Sequence, residues 1–205
     1  MLDFNLAGLK GVVVAASVLA LSACVAPQVA ETDFTQGVGH SASKVAAWSL
    51  GDVNVEISNG LTVTQSPSRR YPSLSELVWY GDAPGDRKAQ VIALMTDAVR
   101  ASAADALVGS QPVTIGLNIV EFHAMTPRAR SSQLQLGVHE IMFDISISDG
   151  SGAVIASETG VRADLQAYSG AAAVQAKQLD QGQKIRIQSR VAQVIRAWLV
   201  AHSGA

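Results

Sequence analysis

Residues 113–119, VTIGLNI, and residues 141–147, IMFDISI, decide the fold class of this chain. In both stretches every second residue is apolar, which is the period of a β-strand with one buried face. A turn centred near Ser131 would join them as an antiparallel pair and place Ile119 opposite Phe143, so that apolar residues face apolar residues. The sequence therefore predicts an antiparallel sheet at the centre of the fold.

Three further strands are predicted on either side of this pair. Residues 149–152, DGSG, have the composition of a turn, and they lead into a strand from Val154 to about Leu165. Near the start of the domain, residues 53–57 alternate between apolar and polar side chains. Asn59-Gly60 then predicts a two-residue hairpin turn into a partner strand, which makes about five strands in total.

Two amphipathic helices complete the predicted domain. Asp86 is a candidate N-cap, and apolar residues recur behind it at helical spacing as far as Gly109. A second stripe of helical spacing runs between about residues 172 and 202, where Gly182 is expected to weaken or interrupt the helix. The predicted fold class is α+β, an antiparallel sheet of about five strands packed on one face by two amphipathic helices.

The N-terminus has the features of an export signal. Lys10 is followed by thirteen uncharged residues, 11–23. This run is shorter than the roughly 20 apolar residues that span a bilayer, but it fits the apolar region of a signal peptide. Residues 21–24, Leu-Ser-Ala-Cys, resemble the bacterial lipoprotein box, in which the cysteine is acylated and becomes the first residue. The alternative is a plain secretory signal with an incidental cysteine at position 24.

This interpretation sets the domain plan and the predicted location. We expect a signal peptide at residues 1–23, a flexible tether at residues 24–47 and a single α+β domain at residues 48–205. Acylated Cys24 would attach the protein to a membrane, and two or more acyl chains would make that attachment stable. Val25 stands where inner-membrane lipoproteins of the enteric type carry aspartate. That resemblance favours the outer membrane, on the side that faces the periplasm.

Charge and cysteine content argue against several classes of function. Lysine and arginine number 15 against 17 aspartates and glutamates, a formal net charge of −2. A chain with so little net charge does not indicate the basic surface that binding of nucleic acid requires. Cys24 is the only cysteine, so its acylation would leave no thiol for a disulfide, a metal site or a nucleophile. No cofactor is predicted.

Two histidines are candidates for chemistry. If the two central strands pair as predicted, His123 lies opposite His139 at the end of the same face. Zinc needs at least three protein ligands, and Glu121 is the nearest carboxylate, while Asp82 or Asp86 would have to come from elsewhere. The favoured interpretation is that the histidines form local hydrogen bonds at the open end of the core. A hydrolase or metal enzyme that uses the pair is the lesser alternative.

A cluster of unusual residues, WYGDAPGDR, lies between Trp79 and Arg87. In the structural interpretation, Trp79 covers an edge of the core and Asp86 caps the helix that follows. In the functional interpretation, the N-terminus of that helix, with Gly85 and Arg87, holds an anion. Asp82 lies inside the cluster and is kept as a candidate interaction residue.

Two surfaces are candidates for contacts with other molecules. Arg130 is predicted on the loop between the central strands, where it is either solvated or in contact with lipid headgroups or an acidic partner. The predicted register also places Val120, Phe122 and Met142 on the outward face of the sheet. Such a patch needs cover, either from the chain itself near residues 67–80 or from another protein.

Several short motifs resemble an uncharacterised lipoprotein family found mainly in alphaproteobacteria of the rhodobacter group. They are Val78-Trp79-Tyr80-Gly81-Asp82 with Gly85-Asp86-Arg87, then Phe122-His123-Ala124, and Val138-His139. The resemblance would cover about residues 50–200. The family is a domain of unknown function, so the resemblance implies no activity, cofactor or substrate.

The leading functional hypothesis is a non-enzymatic envelope lipoprotein that acts as an accessory module through an unidentified protein partner. The chain has no Gly-x-Ser-x-Gly elbow and no pair of carboxylates tied by spacing to one pocket. Its architecture resembles auxiliary lipoproteins of envelope transport systems. The alternative is a lipoprotein that binds a lipid or another small apolar ligand between its sheet and its helices.

Overall fold

The computed structural model of the chain describes residues 48–64, 75–133 and 137–203. Cys24, the signal peptide and the tether lie outside this part, as does most of the segment expected to cover the sheet. The strands are β1 (Trp48–Ile57), β2 (Thr62–Val63), β3 (Glu76–Val78), β4 (Gln111–His123), β5 (Val138–Ser148), β6 (Val154–Arg162) and β7 (Leu165–Gln166). The helices are α1 (Arg87–Ala106), α2 (Pro127–Arg130), α3 (Gly170–Gln178) and α4 (Gln183–Ser203).

Strand β4 is the centre of a mixed seven-stranded sheet. On one side it pairs in parallel with β1 and, at its C-terminal end, with β3. On the other side it pairs antiparallel with β5, which pairs antiparallel with β6 and β7. The α+β class is therefore confirmed, and the prediction of a purely antiparallel sheet of five strands is wrong.

The predicted hairpin at Asn59-Gly60 is also wrong, although the turn itself forms. The Leu61 amide donates a hydrogen bond to the Ser58 carbonyl at 3.0 Å. Beyond the turn, however, β2 pairs in parallel with β3 and does not fold back on β1. The twenty-residue helix α1 supplies the long crossover that parallel pairing of β1 and β3 with β4 requires. The residues of the turn therefore do not indicate which strand β2 pairs with.

The predicted register of the central pair is confirmed in its first part. Ile119 pairs with Phe143, and the preceding apolar residues of the two strands pair in the same way. Their side chains are buried against α1 and α4 together with Trp198. The core therefore lies between one face of the sheet and these two helices.

A β-bulge at Val120 changes the register beyond this point. Glu121 pairs with Met142, Phe122 with Ile141, and His123 with Glu140, so each partner is one residue away from the predicted one. The extra residue in β4 reverses which side chains face the core. Phe122 is therefore fully buried, and the predicted outward patch of Val120, Phe122 and Met142 does not form. The predicted pairing of His123 with His139 is wrong for the same reason.

The helices begin and end largely where the sequence indicates. Asp86 caps α1, and its carboxylate accepts a hydrogen bond from the Ala89 amide at 3.1 Å. The predicted C-terminal helix is interrupted as expected near Gly182, and it becomes α3 and α4. Asp180 in this junction has a positive φ of 53°. None of the helices in the described ranges is long and apolar enough to cross a membrane.

Candidate functional site

A pocket of about 290 Å³ lies where the junction of α3 and α4 meets the start of β5. Four cationic side chains line it, and two tyrosines stand beside them; these six are Arg130, Lys177, Lys184, Arg186, Tyr80 and Tyr168. His139 also lines the pocket. No described lining residue is acidic. The pocket therefore brings together residues that are distant in the sequence and have the same sign of charge.

His139 is a neutral hydrogen-bonding group in this pocket. It is 1% exposed, and its Nδ1 accepts a hydrogen bond from the Met125 amide at 3.3 Å. Since Nδ1 is the acceptor, the neutral ring carries its proton on Nε2. Burial, followed by the positive charges of Arg186 and Arg130, lowers the pKa of His139 to about 3. The ring therefore stays uncharged at neutral pH.

Arg130 does not lie on an exposed loop tip as predicted. Thr126 caps the short helix α2 by accepting a hydrogen bond from the Ala129 amide at 3.2 Å, and Arg130 is its last residue. The guanidinium is partly buried, and its Nε has no hydrogen-bond partner in the described part of the chain. Burial lowers the pKa of Arg130 below its ordinary value. Arg128, two residues earlier on the same helix, is exposed.

The first turn of α4 supplies the other side of the pocket. Nη2 of Arg186 donates to the Gln166 carbonyl at 2.6 Å, and the guanidinium carbon lies 3.6 Å from the centre of the Tyr168 ring. Burial lowers the pKa of Arg186, and Tyr168 opposes this shift only in part. Both polar side-chain atoms of Gln183 are buried without a partner in the described residues. This turn therefore presents unused hydrogen-bonding groups.

The cluster around Trp79 connects the sheet to the same turn of α4. Trp79 is 1% exposed and packs edge to face on Phe122, with ring centroids 5.8 Å apart. Its Nε1 donates to Asp82 Oδ2 at 2.9 Å, and Lys184 Nζ lies 2.6 Å from Asp82 Oδ1. Burial alone would raise the pKa of Asp82, but the hydrogen bonds from Lys184 and Trp79 and the nearby positive charges lower it overall. Asp82 is thus an ionised counter-charge for Lys184.

The N-terminus of α1, where an anion was considered, is closed by its own neighbours. Asp86 caps it, and Arg87 Nη1 donates to the Ala83 carbonyl at 3.3 Å and to Gln90 Oε1 at 3.1 Å. The Arg87 guanidinium also lies 5.0 Å from the centre of the Tyr80 ring. Arg87 is therefore occupied in holding the loop that precedes the helix.

A second polar cluster lies on the opposite face of the sheet. His123 Nδ1 is 3.5 Å from both Glu121 Oε1 and Glu140 Oε2, and Arg162 Nη1 is 3.4 Å from Glu121 Oε2. Arg162 also forms a 2.8 Å ion pair with Asp164. Arg162 therefore bridges the carboxylates of Glu121 and Asp164, while His123 Nδ1 lies between those of Glu121 and Glu140.

The same cluster contains the donor types of a metal site. One ligand atom from each of Glu121, His123 and Glu140 lies within 4.8 Å of the others. His139 cannot join them, because it projects from the other face of β5, where alternate residues point in opposite directions. The predicted pair of histidines is therefore divided between two separate sites. Asp82 and Asp86 belong to the Trp79 cluster and its helix cap.

Sequence reasoning missed the part of the pocket that α3 and α4 supply, namely Lys177 on α3 and Gln183 and Arg186 on α4, together with Tyr168. One local signal was present. Gly182 is followed by Gln-Lys-Ile-Arg, so a helix begins with two cations and without an acidic residue in its first turn. Acidic residues are the usual choice at that end of a helix. Residues 183–186 depart from that preference, but so does the first turn of α1, which begins with Arg87 and Lys88.

Comparison with known proteins gives a family and distant structural likenesses. Among solved structures, the chain is similar to a dodecamer of a PelC point variant from Paraburkholderia phytofirmans, with 17% identity over 75% of this chain and 90% of that one and a TM-score of 0.36. It is also similar to a protein from Caulobacter crescentus provisionally classed as a lipoprotein, with 20% identity over 57% of this chain and 82% of that one and a TM-score of 0.31. Likenesses this weak carry no argument about function. No curated protein matches the chain.

The family assignment rests on a match over the whole folded part. The model of a family of unknown function, DUF6778, matches residues 48–205, close to the range of about 50–200 expected from the short motifs. The chain belongs to this family of unknown function.

Proposed function

We propose that the chain is a lipid-anchored lipoprotein of the bacterial envelope. The observation that carries this proposal is Leu-Ser-Ala-Cys at residues 21–24, placed at the end of the uncharged run 11–23. Acylated Cys24 would hold the domain against a membrane through the segment 24–47. The outer membrane, facing the periplasm, is the proposed location.

Lipid labelling tests the anchor directly. The full-length chain, expressed in a bacterium fed an alkynyl fatty acid, should carry the label and partition into the detergent phase. Cys24→Ser is the matched control and should lose both properties. An unlabelled wild-type protein, or equal labelling of Cys24→Ser, would contradict the proposal.

The proposed role at the membrane is that of a non-enzymatic accessory module that contacts an envelope protein. Support comes from the arrangement of the two histidines. His139 is neutral and surrounded by cations, while His123 lies between two carboxylates on the other face of the sheet. A hydrolase or metal enzyme that uses both is therefore a poor fit. Cross-linking in intact cells should capture a reproducible membrane partner, and components of envelope transport systems are the first to test.

A small-molecule-binding lipoprotein is the second candidate, and the 290 Å³ pocket favours it. Side chains pack densely between the sheet and the helices, where Trp198, Phe143 and Met95 are fully buried. The pocket instead lies at the margin of the core and is lined by cations. This lining suits a polar ligand better than a lipid chain. Native mass spectrometry of the purified protein should detect a bound small molecule if this role is correct.

A further inference from the structure

We propose that the pocket between α2, β5 and the start of α4 binds a phosphate monoester of a small hydroxylated molecule. The inference names a ligand class for the second candidate function, on which it rests, and it does not depend on acylation of Cys24 or on a protein partner. It rests on the charge of the pocket, on the helix end that faces it and on its unused polar atoms.

The first argument is the charge balance. Asp82 neutralises Lys184, but Arg130, Lys177 and Arg186 have no carboxylate within ion-pair distance in the described ranges. Three uncompensated cations around one pocket repel one another. A phosphate monoester carries a charge of −1.5 to −2 near pH 7 and so relieves this repulsion better than a carboxylate does.

The second argument is the end of helix α4. The first N–H groups of a helix have no partner within it, and the helix dipole makes this end positive. The first turn of the 21-residue α4 adds the charge of Arg186, since Lys184 is paired with Asp82, and it contains no acidic residue. The first turn of α1 also lacks an acidic residue, but Asp86 caps that helix, and its carboxylate accepts a hydrogen bond from the Ala89 amide. An anion bound at α4 would take the place that Asp86 takes at α1.

The third argument is the set of buried polar atoms. Arg130 Nε and the Gln183 amide nitrogen are buried donors without a partner in the described residues. The Nε2–H of His139 is a further donor from a lining residue, because Nδ1 is used by Met125. An unpaired buried polar group costs roughly 1–3 kcal/mol, so a ligand that pairs with Arg130 Nε and the Gln183 amide is favoured. Gln183 Oε1 is an unpaired acceptor, which fits a ligand that also carries a hydroxyl group.

The electrostatic state of the pocket agrees with these three observations. Burial lowers the pKa of Arg130, His139 and Arg186, and in His139 the two arginines add to the effect. The lowered pKa of these three groups indicates that no nearby negative charge offsets the cost of burying their protonated forms. A volume of about 290 Å³ also lies near the lower end of the range for small-ligand pockets, which suits a compact polyol phosphate.

Calorimetry with sn-glycerol 3-phosphate tests the proposal on the full-length chain in phosphatidylcholine nanodiscs and phosphate-free buffer. We expect saturable binding with one site per chain. Arg130→Gln and Arg186→Gln should each weaken it by about tenfold or more, because each removes a charge-assisted hydrogen bond. Arg128→Gln is the matched control. It removes an exposed arginine from the same short helix as Arg130 and should change the affinity by less than about twofold.

Circular dichroism shows whether each variant folds. If Arg130→Gln and Arg186→Gln fail to fold, the exposed Lys177 provides a milder test, and Lys177→Gln should weaken binding by about threefold. Absence of saturable binding to the folded wild type would overturn the proposal. So would folded pocket variants that bind as tightly as the wild type.

A final comparison separates a soluble ester from a lipid headgroup with the same chemistry. Phosphatidic acid is added to the nanodiscs before the titration. If it competes with sn-glycerol 3-phosphate, the pocket accepts the headgroup of a membrane lipid. If it has no effect, the pocket accepts the soluble ester, and either result retains the phosphate site. Loss of the lipid label at Cys24 would leave this binding unchanged, so the two proposals can fail separately.

Discussion

His139 and Glu140 are neighbours on β5, yet they belong to two polar clusters of opposite character. On the helix face, His139 lies with Arg130 and Arg186 in a pocket that has no acidic residue among its described lining. On the other face, Glu140 lies with His123 and the buried Glu121. Both clusters bury titratable groups at the same end of the sheet.

The difference between the two faces is their charge balance. In the Glu121 cluster, Arg162 lies against the carboxylates of Glu121 and Asp164, so its positive charge is balanced inside the protein, although the buried His123 Nε2 has no partner in the described residues. In the pocket, cations face one another and polar atoms lack partners, which is the state expected of a binding site before its ligand arrives. Uncompensated positive charge is therefore the feature that distinguishes the candidate binding pocket from the Glu121 cluster.

The largest expected effect comes from the acid titration of His139. Its pKa is about 3 in the folded protein against an ordinary value of 6.5. Between these values the unfolded chain binds a proton that the folded protein does not, so the free energy of unfolding decreases as the pH falls through this window. The loss from this group should reach about 3 kcal/mol at pH 4. Urea denaturation between pH 7 and pH 4 measures it.

His139→Asn isolates this contribution, since its amide oxygen can still accept the Met125 hydrogen bond. The variant should cost roughly 1–2 kcal/mol at pH 7, because the smaller side chain leaves space, but it should lose much less stability on acidification. His123→Gln is the control from the other face of the sheet. Its free energy of unfolding should keep the dependence on pH that His139 causes. Identical pH dependence in wild type and His139→Asn would show that the pocket does not hold this ring neutral.

A smaller effect is expected on the balanced face. Glu121→Gln removes a carboxylate whose side chain is only 9% exposed and which contacts both His123 and Arg162. It should lower the free energy of unfolding by about 2 kcal/mol, because the buried carboxylate is replaced and Arg162, which is 42% exposed, loses one of its two counter-charges. Glu140→Gln makes the same change at a carboxylate that is 48% exposed and should cost less than about 1 kcal/mol. Equal losses of stability in thermal or urea unfolding would contradict the expectation that the buried Glu121 contributes more than the exposed Glu140.

The smallest expected effect is a change in the affinity of the pocket for its ligand. Asp82→Asn keeps an oxygen that can accept the Trp79 hydrogen bond, but it releases the charge of Lys184 toward the pocket. The affinity for sn-glycerol 3-phosphate should rise by about threefold. Asp97→Asn removes the same charge from an exposed position on α1 and should leave the affinity unchanged. Weaker binding by Asp82→Asn in calorimetry would contradict the proposed charge balance.

Much of the fold could be predicted because local patterns control it. The alternation in residues 113–119 and 141–147 predicted their register as far as Ile119 and Phe143, and the cap at Asp86 predicted the start of α1. These features depend on strand period and on side-chain capping, which act over a few residues.

The errors came from interactions between distant parts of the chain. One extra residue at Val120 reversed the faces of Phe122 and His123, and no composition signal marks such a bulge. Parallel pairing of β1 with β4 depends on a crossover through α1, so the turn at residues 59–60 could not reveal it. The pocket was missed because its parts, on α2, β5 and α4, meet only in the folded protein.

A two-dimensional amide NMR titration of the isotope-labelled chain with sn-glycerol 3-phosphate tests the proposed phosphate site most directly. We expect saturable changes in the amide chemical shifts of residues 183–186, of Arg130 and of the residues around His139. The amide shifts of residues 121–123 should not change. Shifts centred on Glu121 and His123, or no saturable shift at all, would contradict it.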